Sequence, residues 1–413
     1  MRPTRCRPSR RARPPGTRRR PRRRGRCRRW TSRGRGVADD AVPLRSMWSS
    51  GHPMDGVHGA DPPKGRGGAA RYDRSDDPPR RGPDEGGVMS IDTHPHHLPT
   101  AAPEPLPYHR LAHRLPGTAR WWRPLASIGT AAGLAVGGAL VVILAIAIAT
   151  LVAPPSWRPS ELLDDPRNPG DMLFMLGFLA IGVPAVVLGS RWGGGMRGAI
   201  HSVALRIRWG LLLRAASVVV PLYALVLVGS FVIAPPPDFS WPAADGRTVA
   251  VFAIVLLLAP LQCAAEEYAF RALPQQALGT WLRSPLWGIL LPVPFFMIGH
   301  GYDWVGQIDI AVFAVSMGFL VWKSGGVELA IVVHTANNLV LFLLAPFSPS
   351  SLTQGTVEPW VLLLSLPLTL GVTAGLTLWV SRTHGLRFFE PVRSVPSVVA
   401  PRADLPAVSG SRA

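Results

Sequence analysis

The chain has 413 residues, of which 47% are apolar and only 17% charged. That balance is too apolar for an ordinary soluble domain and far too apolar for a disordered chain. Its formal net charge of +19 is concentrated in residues 1–37, which hold 17 arginines and no acid and leave +2 for the rest. This excludes a basic globular nucleic-acid binder, and no nucleic-acid partner is expected. Three cysteines (Cys6, Cys27 and Cys263) are too few and too scattered for a disulfide framework or a thiolate zinc site.

Residues 1–105 are crowded with Arg, Pro, Gly, Asp and His and lack apolar periodicity, so they are expected to form a disordered N-terminal region. No apolar core follows the arginines as a signal peptide requires. With 2 lysines against 42 arginines, the chain reads as the product of GC-rich coding DNA rather than of selection for phosphate contacts. A juxtamembrane segment, 106–123, leads into a transmembrane helical domain, 124–380, and residues 381–413 form a cytoplasmic tail.

A bilayer-crossing helix needs about 20 predominantly apolar residues. Eight stretches qualify: 125–152, 171–190, 211–233, 248–272, 285–300, 307–323, 326–346 and 358–380. The fold class is therefore all-α, a polytopic membrane protein in contact with membrane lipid. The fifth stretch is short and carries Pro292 and Pro294. If both termini are cytoplasmic, the inner flanks hold 14 Arg and Lys and the outer loops hold 3. That asymmetry supports an even number of spans in the cell membrane.

Ionisable groups within spans are expensive and mark functional sites by default. Glu266, Glu267 and Arg271 share the fourth span. Glu267 and Arg271 are spaced for an i,i+4 ion pair, whereas Glu266, about 100° round the helix, has no obvious cationic partner. The bland alternative is a helix end where all three meet water. His300 closes the fifth span one turn after Phe296. His334 sits in the seventh, one turn before Asn338. A carboxylate can take a proton from water, and imidazole or carboxamide donors can hold an oxyanion. Two histidines and a glutamate (Glu266, His300, His334) also make a Zn²⁺ ligand set with an open position.

These residues resemble the three motifs of the CPBP family, intramembrane proteases related to the type II CAAX prenyl endopeptidase and also called Abi proteins. The motifs stand here as Glu266-Glu267-Tyr268-Ala269-Phe270-Arg271, Phe296-Met297-Ile298-Gly299-His300 and His334-Thr335-Ala336-Asn337-Asn338. The resemblance covers a core of about residues 248–345. It implies that Glu266 activates water, that Glu267 and Arg271 support it, and that His300, His334 and Asn338 position water and stabilise the oxyanion. It also leaves both a metalloprotease and a metal-free glutamate mechanism open. Ala272 departs from the glycine that commonly follows the motif arginine, and the segment after His300 is short and ends in Asp309.

The expected function is an intramembrane endopeptidase cutting a peptide or membrane-protein substrate near the cytoplasmic side. The competing readings are a non-catalytic immunity or scaffold protein and a proton-coupled transporter. One depth mismatch stands out. Glu266 lies about 9 Å from the end of a span closing at 272, while His300 lies about 25 Å along its own helix from Arg283. The two meet only if the fifth helix is kinked by its prolines or begins below the membrane surface.

Overall fold

The computed structural model describes residues 104–115 and 117–395, all within one compact unit spanning Thr93–Ala413. Nearly all of the expected N-terminal disorder, and most of the tail, lie outside the described residues. The described chain is helical, with two isolated bridges and no strand. Seven helices are long and apolar enough to cross a membrane, and this is a multi-pass membrane protein.

The first crossing is α1 (Arg123–Val152), followed by α2 (Pro169–Ala180) and α3 (Gly182–Trp192), which form one span broken at Ile181. Pro184 lacks the N–H that would bond the Ala180 carbonyl, so the helix restarts rather than continuing. The next span is α4 (Trp209–Ile233). On α1, Val136, Leu140, Val141 and Leu144 are exposed, the surface a lipid-facing helix presents.

The fourth span corrects the expected boundary at 272. Helix α5 (Gly246–Glu267) runs through a π turn at Tyr268–Ala272 into α6 (Leu273–Trp281), giving one 36-residue rod. Leu273 N–H bonds to the Tyr268 carbonyl five residues back, the signature of the wider π turn. Pro274 follows in the first turn of α6, where its missing N–H costs least. The rod is about 54 Å long, well beyond the roughly 30 Å hydrocarbon core, so it tilts or projects from the membrane.

The expected span at 285–300 is a short helix in two pieces, α7 (Leu286–Leu290) and α8 (Val293–Ile298), divided at Leu291 and Pro292. Alone it is too short to be counted as a crossing. It nevertheless carries the chain between opposite ends of the bundle, as the loop contacts show. At one end His109 Nε2 meets the Arg283 carbonyl, Tyr108 Oη donates to the Ile200 carbonyl, Val203 N–H bonds Gly325 O, and Val392 N–H bonds Lys323 O. At the other, Arg167 donates to Pro346 O and Ser240 O, and Asp303 N–H bonds Gly355 O. The remaining spans are α9 (Trp304–Ser324), α10 (Glu328–Leu344) and α11 (Leu362–His384). The two described ends lie side by side, with Ser394 N–H on Leu106 O.

Two polar nodes fix that shared end. Arg208 forks onto the fully buried Glu328 at 2.7–2.8 Å, and its backbone N–H adds a third bond to the same carboxylate. Gly325 takes φ +71° to close α9, which turns the chain directly into α10. Lys323, 0% exposed, donates to the carbonyls of Arg387 and Glu390 and so pins the C-terminal segment. Opposite, Asp238 accepts from Ser348 and Ser350, which hold its carboxyl down to about 2.

The juxtamembrane segment forms a 3₁₀ strap, Tyr108–Arg114, across the end of α6. Arg110 donates to the Gly279 and Leu282 carbonyls, and burial pushes the His109 imidazole below its ordinary range. A Cβ at Gly279 would fall on the His109 carbonyl. Gly279→Ala is therefore expected to destabilise the fold by about 1–3 kcal/mol. Thermal unfolding checks this, and amide exchange should show 104–115 losing protection first.

Candidate active site

Glu266 and Glu267 close α5, Arg271 sits on the π turn, Phe296 lies on α8, and His334 and Asn338 lie on α10. The depth mismatch disappears because the rod continues to Trp281. Arg271 lies ten residues before Trp281, and Phe296 lies ten after Leu286, so each is about 15 Å from the turn joining α6 and α7. Glu266 and His300 are then both about 21–23 Å from it. The Arg271 guanidinium does stack on Phe296, 4.0 Å from the ring centroid.

His334 is the hub. Its Nδ1 lies 2.7 Å from Glu267 Oε1, which fixes Nδ1 as the donor while Glu267 is ionised. Glu267 Oε1 is also 3.3 Å from Arg271 Nη1, the ion pair anticipated from the spacing. Glu267 is 0% and Arg271 2% exposed, so this is no helix end meeting water. On the other side of the ring, Asn338 Nδ2 lies 3.2 Å from Nε2, and Asn337 Nδ2 donates to Asn338 Oδ1. Arg271, Glu267, His334, Asn338 and Asn337 thus form one polarised chain. Phe313 packs edge-on to the imidazole at 5.0 Å and Phe296 at 6.4 Å.

Glu266 is held differently. Gln262, one turn earlier, donates Nε2 to Glu266 Oε1 at 2.7 Å. Glu266 Oε2 sits 3.4 Å from His334 Nε2, buried and without a hydrogen-bond partner. A carboxylate oxygen so placed has a lone pair directed at nothing in the protein, next to an imidazole. His300 joins the group indirectly: its ring lies 4.7 Å from Phe296, Nδ1 bonds the Phe296 carbonyl, and Gln307 holds its own carbonyl. It makes no ion-pair contact with a carboxylate among the described residues.

The zinc set does not fit. Nδ1 of each histidine is held by an acceptor, which leaves Nε2 as the ligand atom, but no ion pair brings His300 to Glu266 or Glu267 to complete the set. Among the described residues no group of three His, Cys, Asp or Glu is arranged to hold a metal ion.

Every one of these candidate residues falls inside a single family match. Residues 247–340 match the family described as type II CAAX prenyl endopeptidase Rce1-like. The likeness to that family is confined to this stretch of the chain. The matched stretch begins at the start of α5 and ends within α10, two residues past Asn338. Among curated proteins, the chain is similar to the uncharacterized protein YyaK of Bacillus subtilis strain 168. The two are 30% identical over 149 residues, covering 32% of this chain and 49% of the relative. The chain thus spans about half the length of the curated relative it matches. No solved structure matches it.

Sequence reasoning missed one residue of the site and one of its bonds. Gln262 carried a signal that could have been read, since it precedes Glu266 by four residues on the same helical face. The bond between Glu267 and His334 joins residues 67 apart, and no local spacing announces it.

Proposed function

We propose that the chain is an intramembrane endopeptidase in which Glu266 activates water without a metal. Glu266 Oε2 accepts a proton from water while Gln262 holds Oε1, and the hydroxide attacks the scissile carbonyl carbon. Asn338 Nδ2 and the free edge of His300 donate to the oxygen that gains charge, the task in which preorganised donors contribute most. Glu267 and Arg271 keep the His334 ring in one tautomer and orientation. Collapse of the tetrahedral intermediate breaks the C–N bond, and Glu266 returns its proton to the leaving amine.

The observation that carries this reading is the unpartnered Glu266 Oε2 beside His334 Nε2. Glu267 Oε2 is unpaired too, but Glu267 is sealed at 0% exposure, whereas the Glu266 side chain is 14% exposed and so can meet water. The substrate is a peptide or membrane-protein segment. We place the bundle end that gathers 104–123, 193–208 and 385–395 at the cytoplasmic face of the cell membrane, supported by the arginine asymmetry.

The test is cleavage of single-span reporter peptides of varied sequence in proteoliposomes. The wild-type protein should cut a subset of them and Glu266→Gln should cut none. Equal cutting by both proteins would overturn the reading. Because the donor set does not suit zinc, cleavage in the same assay should survive a chelator. Loss on chelation and recovery with Zn²⁺ would return Glu266, His300 and His334 to a ligand role.

A further inference from the structure

Away from Glu266 and His334, three helices bring unpaired polar oxygens into the bundle interior. Asp309 stands on α9, about 8 Å in from the Trp304 end, and takes part in none of the ion pairs among the described residues. Its Oδ1 is buried without a hydrogen-bond partner. The same holds for Tyr223 Oη on α4 and for Ser365 Oγ and Thr373 Oγ1 on α11. Tyr223 is only 1% exposed. Asp309 lies close enough to Tyr223 and Tyr302 to act on their hydroxyls, while Ser365 stands beside the Asp309 carboxyl and Thr369 beside Tyr223 Oη, neither of these two pairs closing to full hydrogen-bond geometry.

Hydroxyls on membrane helices usually satisfy themselves on their own backbone, as Thr377 does on the Thr373 carbonyl. Ser365 and Thr373 do not. Each polar group left bare in an apolar interior costs about 2–7 kcal/mol, and such a set persists when ordered water bridges it. The cluster also points somewhere. Asp309 and Phe313 are one turn apart on the same face of α9, and Phe313 rests on the His334 ring. The polar region therefore ends about 6 Å of helix rise from the residue that walls the imidazole.

We propose that Asp309, Tyr223, Ser365 and Thr373 line a hydrated chamber between α4, α9 and α11, from which water reaches the site past Phe313. Asp309 anchors the water, the three hydroxyls complete its hydrogen bonds, and Phe313 is the partition it passes. The chamber's use in hydrolysis rests on the function proposed above, but its hydration does not, so the two are tested separately.

Hydroxyl-radical footprinting of the whole protein in nanodiscs, read by mass spectrometry, tests the hydration. Radicals formed in bound water mark side chains that touch it. Tyr108 is the dry control, being 0% exposed with its hydroxyl bonded to Ile200 O. Tyr223 should be oxidised several-fold faster than Tyr108 despite equal burial. Asp309→Leu should bring Tyr223 down to the Tyr108 rate, and Asp309→Asn should not. Tyr223 as inert as Tyr108 in the wild type would overturn the chamber, and that comparison needs no variant to fold. A fall in Tyr223 oxidation when Na⁺ replaces choline would make the cluster a cation site and overturn it equally. For delivery, Asp309→Leu should lower kcat several-fold with KM unchanged. An unaltered kcat would overturn that part.

Discussion

Replacing Glu266 by glutamine is expected to lower kcat for peptide cleavage by about 10²–10⁴-fold, the usual contribution of a positioned general base. The substitution keeps the shape of the side chain, and its amide oxygen can still accept from Gln262 Nε2, which lies 2.7 Å from the present Oε1. What it removes is the proton acceptor at Oε2, where the protein supplies no competing donor. KM should change little, since the bonds among Glu267, His334 and Asn338 do not involve Glu266 Oε1. The check is kcat and KM in proteoliposomes beside a thermal unfolding midpoint. A loss of activity accompanied by an equal loss of fold would not fit this role.

Glu267→Ala is expected to act through stability, costing about 3–5 kcal/mol, because it strands the Arg271 guanidinium in the interior without its counter-charge. Arg271 is 2% exposed, and its remaining neighbour is the face of Phe296. The same change frees His334 Nδ1, so activity falls along with the fold. Glu267→Gln should be milder, keeping an acceptor for His334 Nδ1 while leaving Arg271 without its carboxylate. Intrinsic tryptophan fluorescence during heating reads the order: wild type highest, then Glu267→Gln, then Glu267→Ala. The two adjacent glutamates are thus expected to fail in different ways, one in the chemical step and one in folding.

The spans were legible because twenty or so apolar residues in a row have one physical meaning, and seven of the eight expected stretches coincide with long helices. The boundary at 272 was not legible. Arg271, Pro274, Gln275 and Gln276 dilute the apolar signal, yet hydrogen bonding carries the helix on to Trp281 through the π turn. Pro292 did announce the break in the fifth stretch, though not that the segment would be only about 20 Å of helix. The Glu267–Arg271 pair followed from i,i+4 spacing alone. Nothing local in the sequence marks Glu328, because its partner Arg208 is 120 residues away. Long-range pairing of this kind depends on how helices dock, which periodicity does not encode. For the same reason Asp309 looked like a loop terminus, whereas it sits inside α9.

On the proposed function, Glu266 is the residue through which this fold cuts peptide bonds in the membrane. The most direct measurement maps new peptide termini by mass spectrometry in membranes of cells carrying the wild-type chain or Glu266→Gln at equal levels. A defined set of termini should be present with the wild type and missing with the variant, their uncut precursors accumulating instead. Identical termini in both membranes, with both proteins folded, would contradict it.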